Sequence, residues 1–264
     1  MSPEKSPPPS VLYYDRVAHM YAGWYEARSP GGYALHTRRQ RVLELLEGTS
    51  GRVLDVGCGP GVLVPDLLHR GHEVWGLDAS ASMIAECRRR FAVADRAHFT
   101  IGDAASLPFG DGFFDAVICT GVIERLLDDV AALREMARVL KQGGALLVSF
   151  PNGQSPYALW RRFVFYPLVA FLQKVSALRA PQPRLPSLLS ATARLYTVPA
   201  VAVLLARQGV DVIDVVHFYF NVFLSPLDEM LPRLAARVIH RLEPQRRGRL
   251  RWLGAGFIVK GRKR

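Results

Sequence analysis

The stretch LDVGCGPGVL, residues 54–63, sets three glycines, Gly57, Gly59 and Gly61, within five positions and an acid, Asp55, two residues ahead of the first. Glycine loses more backbone freedom on folding than any other residue, and it alone enters left-handed conformations without penalty. Three so close together predict a tight turn, or a place where something large lies against bare backbone. RVLDVG, just before, is apolar and β-branched and reads as a strand; GVLVPDLLHRG, just after, reads as a helix ended by Gly71. A turn of this kind lies at the carboxyl end of its strand, where an open α/β sheet binds ligands. The following helix N-terminus offers N–H donors to a carboxylate or phosphate.

Working outward, the alternation continues. EVWGLD is a strand, and Ser80 caps the helix ASMIAECRRRFA. AHFTI and FDAVICT are strands, DDVAALREMARVL is a helix stopped at KQGG, and GALLVSF is a fifth strand. Farther on, VPAVAVLLARQG reads as a helix, and VDVIDVVHF and GAGFIVKGRK as strands. Apolar strands alternating with helices predict a mostly parallel sheet covered on both faces. Residues 11–48 read as helical and close at Gly48. Residues 1–12 are expected to be a disordered lead-in, because MSPEKSPPPS has no apolar core of a signal peptide. The remaining 13–264 form one domain, interrupted by insertions at 152–195 and 218–253.

Charge divides unevenly along the 264 residues. The first 150 hold 16 Lys and Arg against 18 Asp and Glu, a balance of −2; the rest hold 18 against 5, or +13, which together give +11. A basic C-terminal part suits an anionic surface, membrane or nucleic acid, or a solvated arginine-rich face. Cys58, Cys87 and Cys119 lie about thirty residues apart, which makes neither a metal-ligand pair nor an even disulfide set. A reduced, cytoplasmic setting and no metal are therefore expected. The longest apolar run, FVFYPLVAFL at 163–172, is ten residues with Pro167 in its middle. A spanning helix needs about 20.

The glycine loop separates two ligand classes. A dinucleotide fingerprint needs Gly or Ala three residues after Gly59, and Val62 stands there. The spacing acid-x-G-x-G-x-G resembles motif I of the class I S-adenosylmethionine-dependent methyltransferases. The resemblance extends to Asp78 at the end of the second strand, in the place of the family acid whose carboxylate can accept both ribose hydroxyls. It continues through GDAASLPF, where Asp103 matches the acid that accepts from the adenine amino group, FDAVICTGVIE, and LREMARVLKQGGALLVSFPN. YYDRVAHMYAGWYE resembles the segment that many members fold over the cofactor. The resemblance implies a Rossmann-like, seven-stranded, mostly parallel sheet with helical lid insertions. It also implies S-adenosylmethionine held by Asp55, Gly57, Cys58, Gly59, Gly61, Asp78, Ala79, Asp103, Ala104 and Thr120. One departure is plain: Glu124 is followed by Arg125 where many members carry Glu-His.

Methyl transfer from a sulfonium has a good neutral leaving group, so alignment and exclusion of water matter most. A base is needed only for a poor nucleophile such as a hydroxyl. His217 at the end of VVHFYF, Glu124 and Tyr21 are the catalytic candidates, and Tyr21 and Tyr25 are candidates to cover the cofactor. Each also has a structural reading: a strand-end histidine, the start of a helix, helical packing. His69, His72 and His98 fall away from the crevice, and Cys58 packs. The motif [DNS]-P-P-[YFW] of nucleic-acid amine methylation is absent, since CTGVIE occupies its place. In YALWRRFVFYPLVAFLQKV aromatic residues stand beside arginines. Such a segment suits a headgroup boundary, in a position resembling membrane-associating insertions of quinone-biosynthesis methyltransferases, or a lid over a small soluble substrate. The expected acceptor is small and lipophilic, with peripheral contact at an anionic membrane. An RNA methyltransferase and a non-catalytic cofactor-binding module are the alternatives.

Overall fold

The computed structural model describes residues 8–25, 30–177, 194–221, 223 and 227–264. Its strands are β1 Arg52–Val56, β2 Glu73–Asp78, β3 Ala97–Ile101, β4 Phe114–Cys119, β5 Leu140–Pro151, β6 Val210–Phe218 and β7 Gly256–Lys263. They form one seven-stranded sheet in the order β3-β2-β1-β4-β5-β7-β6. The first five strands pair in parallel, and β7 runs antiparallel to both β5 and β6. The helices are α1 Pro9–Tyr21, α2 Pro30–Leu45, α3 Val64–His69, α4 Ala81–Arg90, α5 Asp129–Val139, α6 Pro156–Trp160, α7 Tyr166–Ala177, α8 Val198–Arg207, α9 Leu227–Met230 and α10 Pro232–Leu242. A π turn, Arg161–Phe165, joins α6 to α7.

Successive strand residues point to opposite faces, so each strand feeds two cores. In β4, Ala116 and Ile118 enter one core; Val117 and Cys119 enter the other. The first is covered by α2 and α3 through Val42, Leu46, Val64 and Leu67. The second is covered by α5 and α8 through Leu133, Met136, Val201 and Leu205. A six-residue helix such as α3 is marginal alone in water. Burying side chains of this size, at about 1.5–3 kcal/mol each, holds it in place. The strand order reverses at β1, which has β2 on one side and β4 on the other. The crevice at that reversal is where such sheets bind ligands.

Three expectations change. Helix α1 begins at Pro9, inside the stretch expected to be disordered. Pro9 and its neighbour start a helix well, because their fixed φ is already helical; residues 1–7 lie outside the described residues. The helical reading of 11–48 divides into α1, a 3-10 turn at Ala22–Tyr25 and α2. KQGG is not a loop: α5 ends at Val139 and β5 starts at Leu140, with a register shift against β4 between Phe114 and Ala116. Gly143, at φ 73°, lets the chain take that irregularity. Of the first insertion, the part at 178–193, with Pro181, Pro183 and Pro186, lies outside the described residues. The second insertion is helical as expected. It is tied back to α2 by a buried ion pair, Arg41 to Glu243 at 2.9 Å. Among the described residues no helix is long and apolar enough to cross a membrane.

Candidate functional site

A cleft of about 970 Å³ opens at the carboxyl ends of β1, β2 and β4. The three glycines of its first loop all have positive φ, 71°, 53° and 74°, but they serve different ends. A Cβ on Gly57 would run into Val122, so this glycine lets the loop after β4 close against the loop after β1. A Cβ on Gly61 would lie 2.7 Å from the Phe91 ring and 3.2 Å from the Cys87 sulfur. Gly61 therefore faces packed protein, and it does not line the cleft; its expected part in cofactor binding is not supported. Gly59 faces open space, with only the Tyr21 ring, 3.8 Å from where its Cβ would be. Between bare backbone and that ring lies a slot.

Asp78 shapes the same loop. One carboxylate oxygen accepts the Gly59 N–H and the other the Ser80 N–H, both at 2.9 Å. Each oxygen keeps a lone pair free for a hydroxyl. Burial raises the Asp78 pKa above the usual carboxylate range, although the two N–H donors oppose this. Asp55, at the end of β1, is buried more deeply. Burial and the nearby Asp78 charge push its pKa up to about 7, with Arg38 opposing. A buried carboxyl of this kind is completed by a cationic ligand. Ala79, Ala104, Asp103 and Thr120 line the cleft as expected. Cys58 lines it too, but its thiol donates to the Gly59 carbonyl at 3.5 Å, and Cys87 donates to the same oxygen at 3.1 Å. Hydrogen bonding with Cys87 and burial raise the Cys58 pKa well above the ordinary thiol value. It packs and does not react.

Helix α1 roofs the cleft. Tyr14, Tyr21 and Tyr25 enter it from α1 and the turn after it. The roof is latched where Asp15 accepts hydrogen bonds from the Ser80 hydroxyl and the Ser82 N–H. Ser80 is itself the N-cap of α4, accepting from Met83 N–H at 3.1 Å. Burial raises the Tyr21 hydroxyl pKa far above its usual value, so Tyr21 covers the site as a neutral ring.

A second cleft, about 1000 Å³, adjoins the first. Arg38 and Arg125 line both. Gly121, at φ 73°, has no side chain where the Arg38 guanidinium lies. Glu124 faces this second cleft; its Oε1 is 4.0 Å from Arg125 Nε, and its Oε2 is buried without a hydrogen-bond partner among the described residues. Tyr157 and Arg161, from α6 and the π turn, and Tyr219 after β6 complete the wall.

His217 lines neither cleft. Strand β6 is the far edge of the sheet, separated from β1 and the first cleft by β4, β5 and β7; Phe218 and Tyr219, next in sequence, line the second cleft, but the His217 side chain does not. There His217 is buried, with its ring 5.6 Å from the Phe257 ring and its Nδ1 unpartnered among the described residues. Burial and the charge of Arg251 lower its pKa to about 4. The residues that the sequence did not single out are Arg38, Tyr157 and Tyr219, and Arg161 stood out only as one of the arginines suited to a headgroup boundary. Tyr157 and Arg161, four apart, share a helix face, which was legible; Arg38 sits in TRRQRV like any surface arginine. Among the described residues no cluster of three or more His, Cys, Asp and Glu could hold a metal ion.

Residues 54–148 match a family model described as a methyltransferase domain. A demethylmenaquinone methyltransferase of Beutenbergia cavernae is 38% identical over 147 residues, which are 55% of this chain and 59% of that protein. The chain thus spans about three fifths of that relative's length. The enzyme of the same name from Mycolicibacterium vanbaalenii is 32% identical over 178 residues, 66% of this chain and 75% of that protein. Magnesium protoporphyrin IX methyltransferase from Synechocystis, solved with bound S-adenosylhomocysteine, shares the fold at a TM-score of 0.53 and 17% identity. The alignment covers 99% of this chain and 90% of that one.

Proposed function

Because the chain belongs to the class I S-adenosylmethionine-dependent methyltransferases, we propose that it transfers a methyl group to a small, largely apolar acceptor held in the second cleft. A quinone precursor, a lipid or a secondary metabolite fits that description. The observation that carries this reading is the pair of joined clefts, divided by the shared side chains Arg38 and Arg125.

The first cleft fits the cofactor on its own terms. Asp78 is placed to take ribose hydroxyls, Asp103 an amino group, and the bare Gly59 backbone a flat or extended ligand under Tyr21. Asp55 would gain from a cation such as an amino-acid ammonium. S-adenosylmethionine supplies an electrophilic methyl on sulfur. The chain's part is to hold, align and dehydrate the reactants. Glu124 is the one carboxylate among the described residues that line the second cleft, and it would orient an acceptor hydroxyl or take its proton. His217 does not line the second cleft and is given neither task.

The apolar acceptor is supported by the names of the relatives and by α7 and the π turn before it. Phe163 and Phe171 are 68% and 63% exposed, with Leu168 and Leu172 beside them. Tyr157 and Arg161 from the adjoining turns line the second cleft. A peripheral contact with an anionic membrane would bring a lipophilic acceptor to that cleft.

The test has two stages. Titration calorimetry with S-adenosylhomocysteine should show micromolar binding. Formation of S-adenosylhomocysteine from S-adenosylmethionine should then accelerate with at least one of a panel of small apolar acceptors that includes a short-chain demethylmenaquinol and apolar carboxylic acids. A folded protein that ignores S-adenosylhomocysteine at millimolar concentration would sink the reading.

A further inference from the structure

The second cleft is cationic. Among the described residues four guanidiniums, from Arg38, Arg125, Arg161 and Arg162, line it against one carboxylate, Glu124. Glu124 lies nearest Arg125, so it offsets one charge. Arg161 is half-buried. One of its nitrogens donates to the Tyr157 hydroxyl at 3.1 Å, and its guanidinium lies 4.9 Å from the centre of the Tyr166 ring and 5.5 Å from that of Tyr157. Its Nε is buried with no acceptor among the described residues. Among the described residues neither Arg38 nor Arg161 makes an ion pair. A guanidinium drawn out of water without an anion is costly. Ring faces offset that cost only in part.

An independent feature marks the same place. Tyr219 has φ 58° and is the one described residue other than glycine with positive φ. A bulky side chain holds that backbone only when its surroundings over-determine it, and such residues gather at ligand sites. Here the Glu243 carboxylate, anchored by Arg41, accepts the Tyr219 N–H at 3.3 Å. The Tyr219 hydroxyl is thereby set 3.3 Å from that of Tyr157 and accepts from Asn221 at 3.2 Å. Two phenols and a guanidinium converge at one end of the cleft. Phe150, Pro151 and Leu195 give the rest an apolar wall.

We propose that the acceptor is an amphiphilic acid: a carboxylate or phosphate group held by Arg161, beside the hydroxyls of Tyr157 and Tyr219, on an apolar body that fills the remainder. This rests on the second cleft being the acceptor's, and it narrows the substrate class to anions. The fork of Arg161 suits either oxyanion, and its aromatic flanks favour one with an apolar neighbour.

The test pairs acids with neutral partners of the same shape: 2-naphthoate with 2-naphthamide, octanoate with octanamide, and octyl phosphate with octanol, plus inorganic phosphate. Each is titrated calorimetrically into the full chain, with and without saturating S-adenosylhomocysteine. At least one acid should bind ten times more tightly than its neutral partner. Arg161→Gln should remove that preference, Arg161→Lys should keep part of it, and Tyr157→Phe should weaken it severalfold. S-adenosylhomocysteine affinity, unchanged in all three, certifies their fold. Failure to bind S-adenosylhomocysteine would count against the methyltransferase reading, while the acid preference is still measured without it. Three results would overturn the proposal: equal binding of every acid and its partner, a preference that survives Arg161→Gln, or inorganic phosphate binding as well as octyl phosphate.

Discussion

Asp15 accepts hydrogen bonds from the hydroxyl and backbone of two residues at the start of α4, and the first of these, Ser80, is that helix's own cap. One serine thus starts α4 and fastens α1 over the cleft. Asp15 is partly solvated, so the latch is worth about 1 kcal/mol. Asp15→Ala should weaken S-adenosylhomocysteine binding about fivefold and speed amide exchange in α1, with little change in the unfolding midpoint. Unchanged exchange in α1 would show that the roof is held by packing alone.

The raised Asp55 pKa makes cofactor binding pH-dependent. Its native value of about 7 lies above the free value of 3.9, so the native apo protein holds a proton there below pH 7. That proton's stabilising contribution is fully present below pH 3.9 and is lost progressively as pH rises from there through 7. A cationic ligand needs the ionised carboxyl. Affinity should therefore rise between pH 5.5 and 8, by up to about tenfold per unit below 7, with proton release visible in buffers of different ionisation heat. In Asp55→Asn the slope should vanish; a slope that persists would assign the proton elsewhere.

Two glycines of one loop should fail differently when replaced by alanine. Each loses a positive-φ position, at about 1 kcal/mol. In Gly61→Ala the new Cβ also meets Phe91, so unfolding should come several degrees earlier. In Gly59→Ala the Cβ enters the slot under Tyr21, so binding should drop tenfold or more while the fold tolerates the change. Equal loss of stability in both would contradict the separation of roles.

His217 should matter for acid stability and not for turnover. Its native pKa of about 4 lies below the free value of 6.5, so the unfolded chain binds the proton first. Stability is full above pH 6.5 and falls as pH drops toward 4, by up to about 3 kcal/mol. His217→Gln should flatten this limb in urea titrations and leave methyl transfer at neutral pH near the parent rate. A large loss of activity at pH 7 with the fold intact would restore a catalytic role.

The exposed aromatic face should hold the protein at anionic vesicles. Pelleting with phosphatidylglycerol vesicles at low salt should retain the chain and release it at high salt. Replacing Phe163 and Phe171 by Gln should cut retention at least fivefold without altering S-adenosylhomocysteine affinity. If the intact protein stays in solution with vesicles at low salt, a lid over a soluble acceptor is the better description.

Much of the first cleft was legible because its residues lie where local pattern and position coincide. Asp55, Asp78 and Asp103 end strands whose alternation is plain, so their address follows from the strands. Gly61 shows the limit: the sequence says that a Cβ is unwelcome but not whether a ligand or a phenylalanine excludes it. His217 fails because a strand end can be read from a dozen residues, but which of its side chains reaches a cleft cannot: Phe218 and Tyr219 line the second cleft, while the His217 ring is buried beside Phe257. The second cleft gathers α2, β5, α6 and the turn after β6, segments that run from Arg38 to Tyr219 along the chain. Nothing local to Tyr219 announces its left-handed backbone.

The place of β7 also bears on the order in which a growing chain can fold. The strand is made after β6, yet it provides the inner neighbour of β6 and the outer neighbour of β5. Until it emerges from the ribosome, both of those strands present open edges, and neither can take its final partner. The nascent chain can assemble β1 to β5 early, with α5 packed on them, but the β6 and second-cleft region must wait for synthesis to reach 256–263. Open edges invite wrong pairing. Delay in making β7, rather than the glycine loop, leaves the edges of β5 and β6 open to wrong pairing.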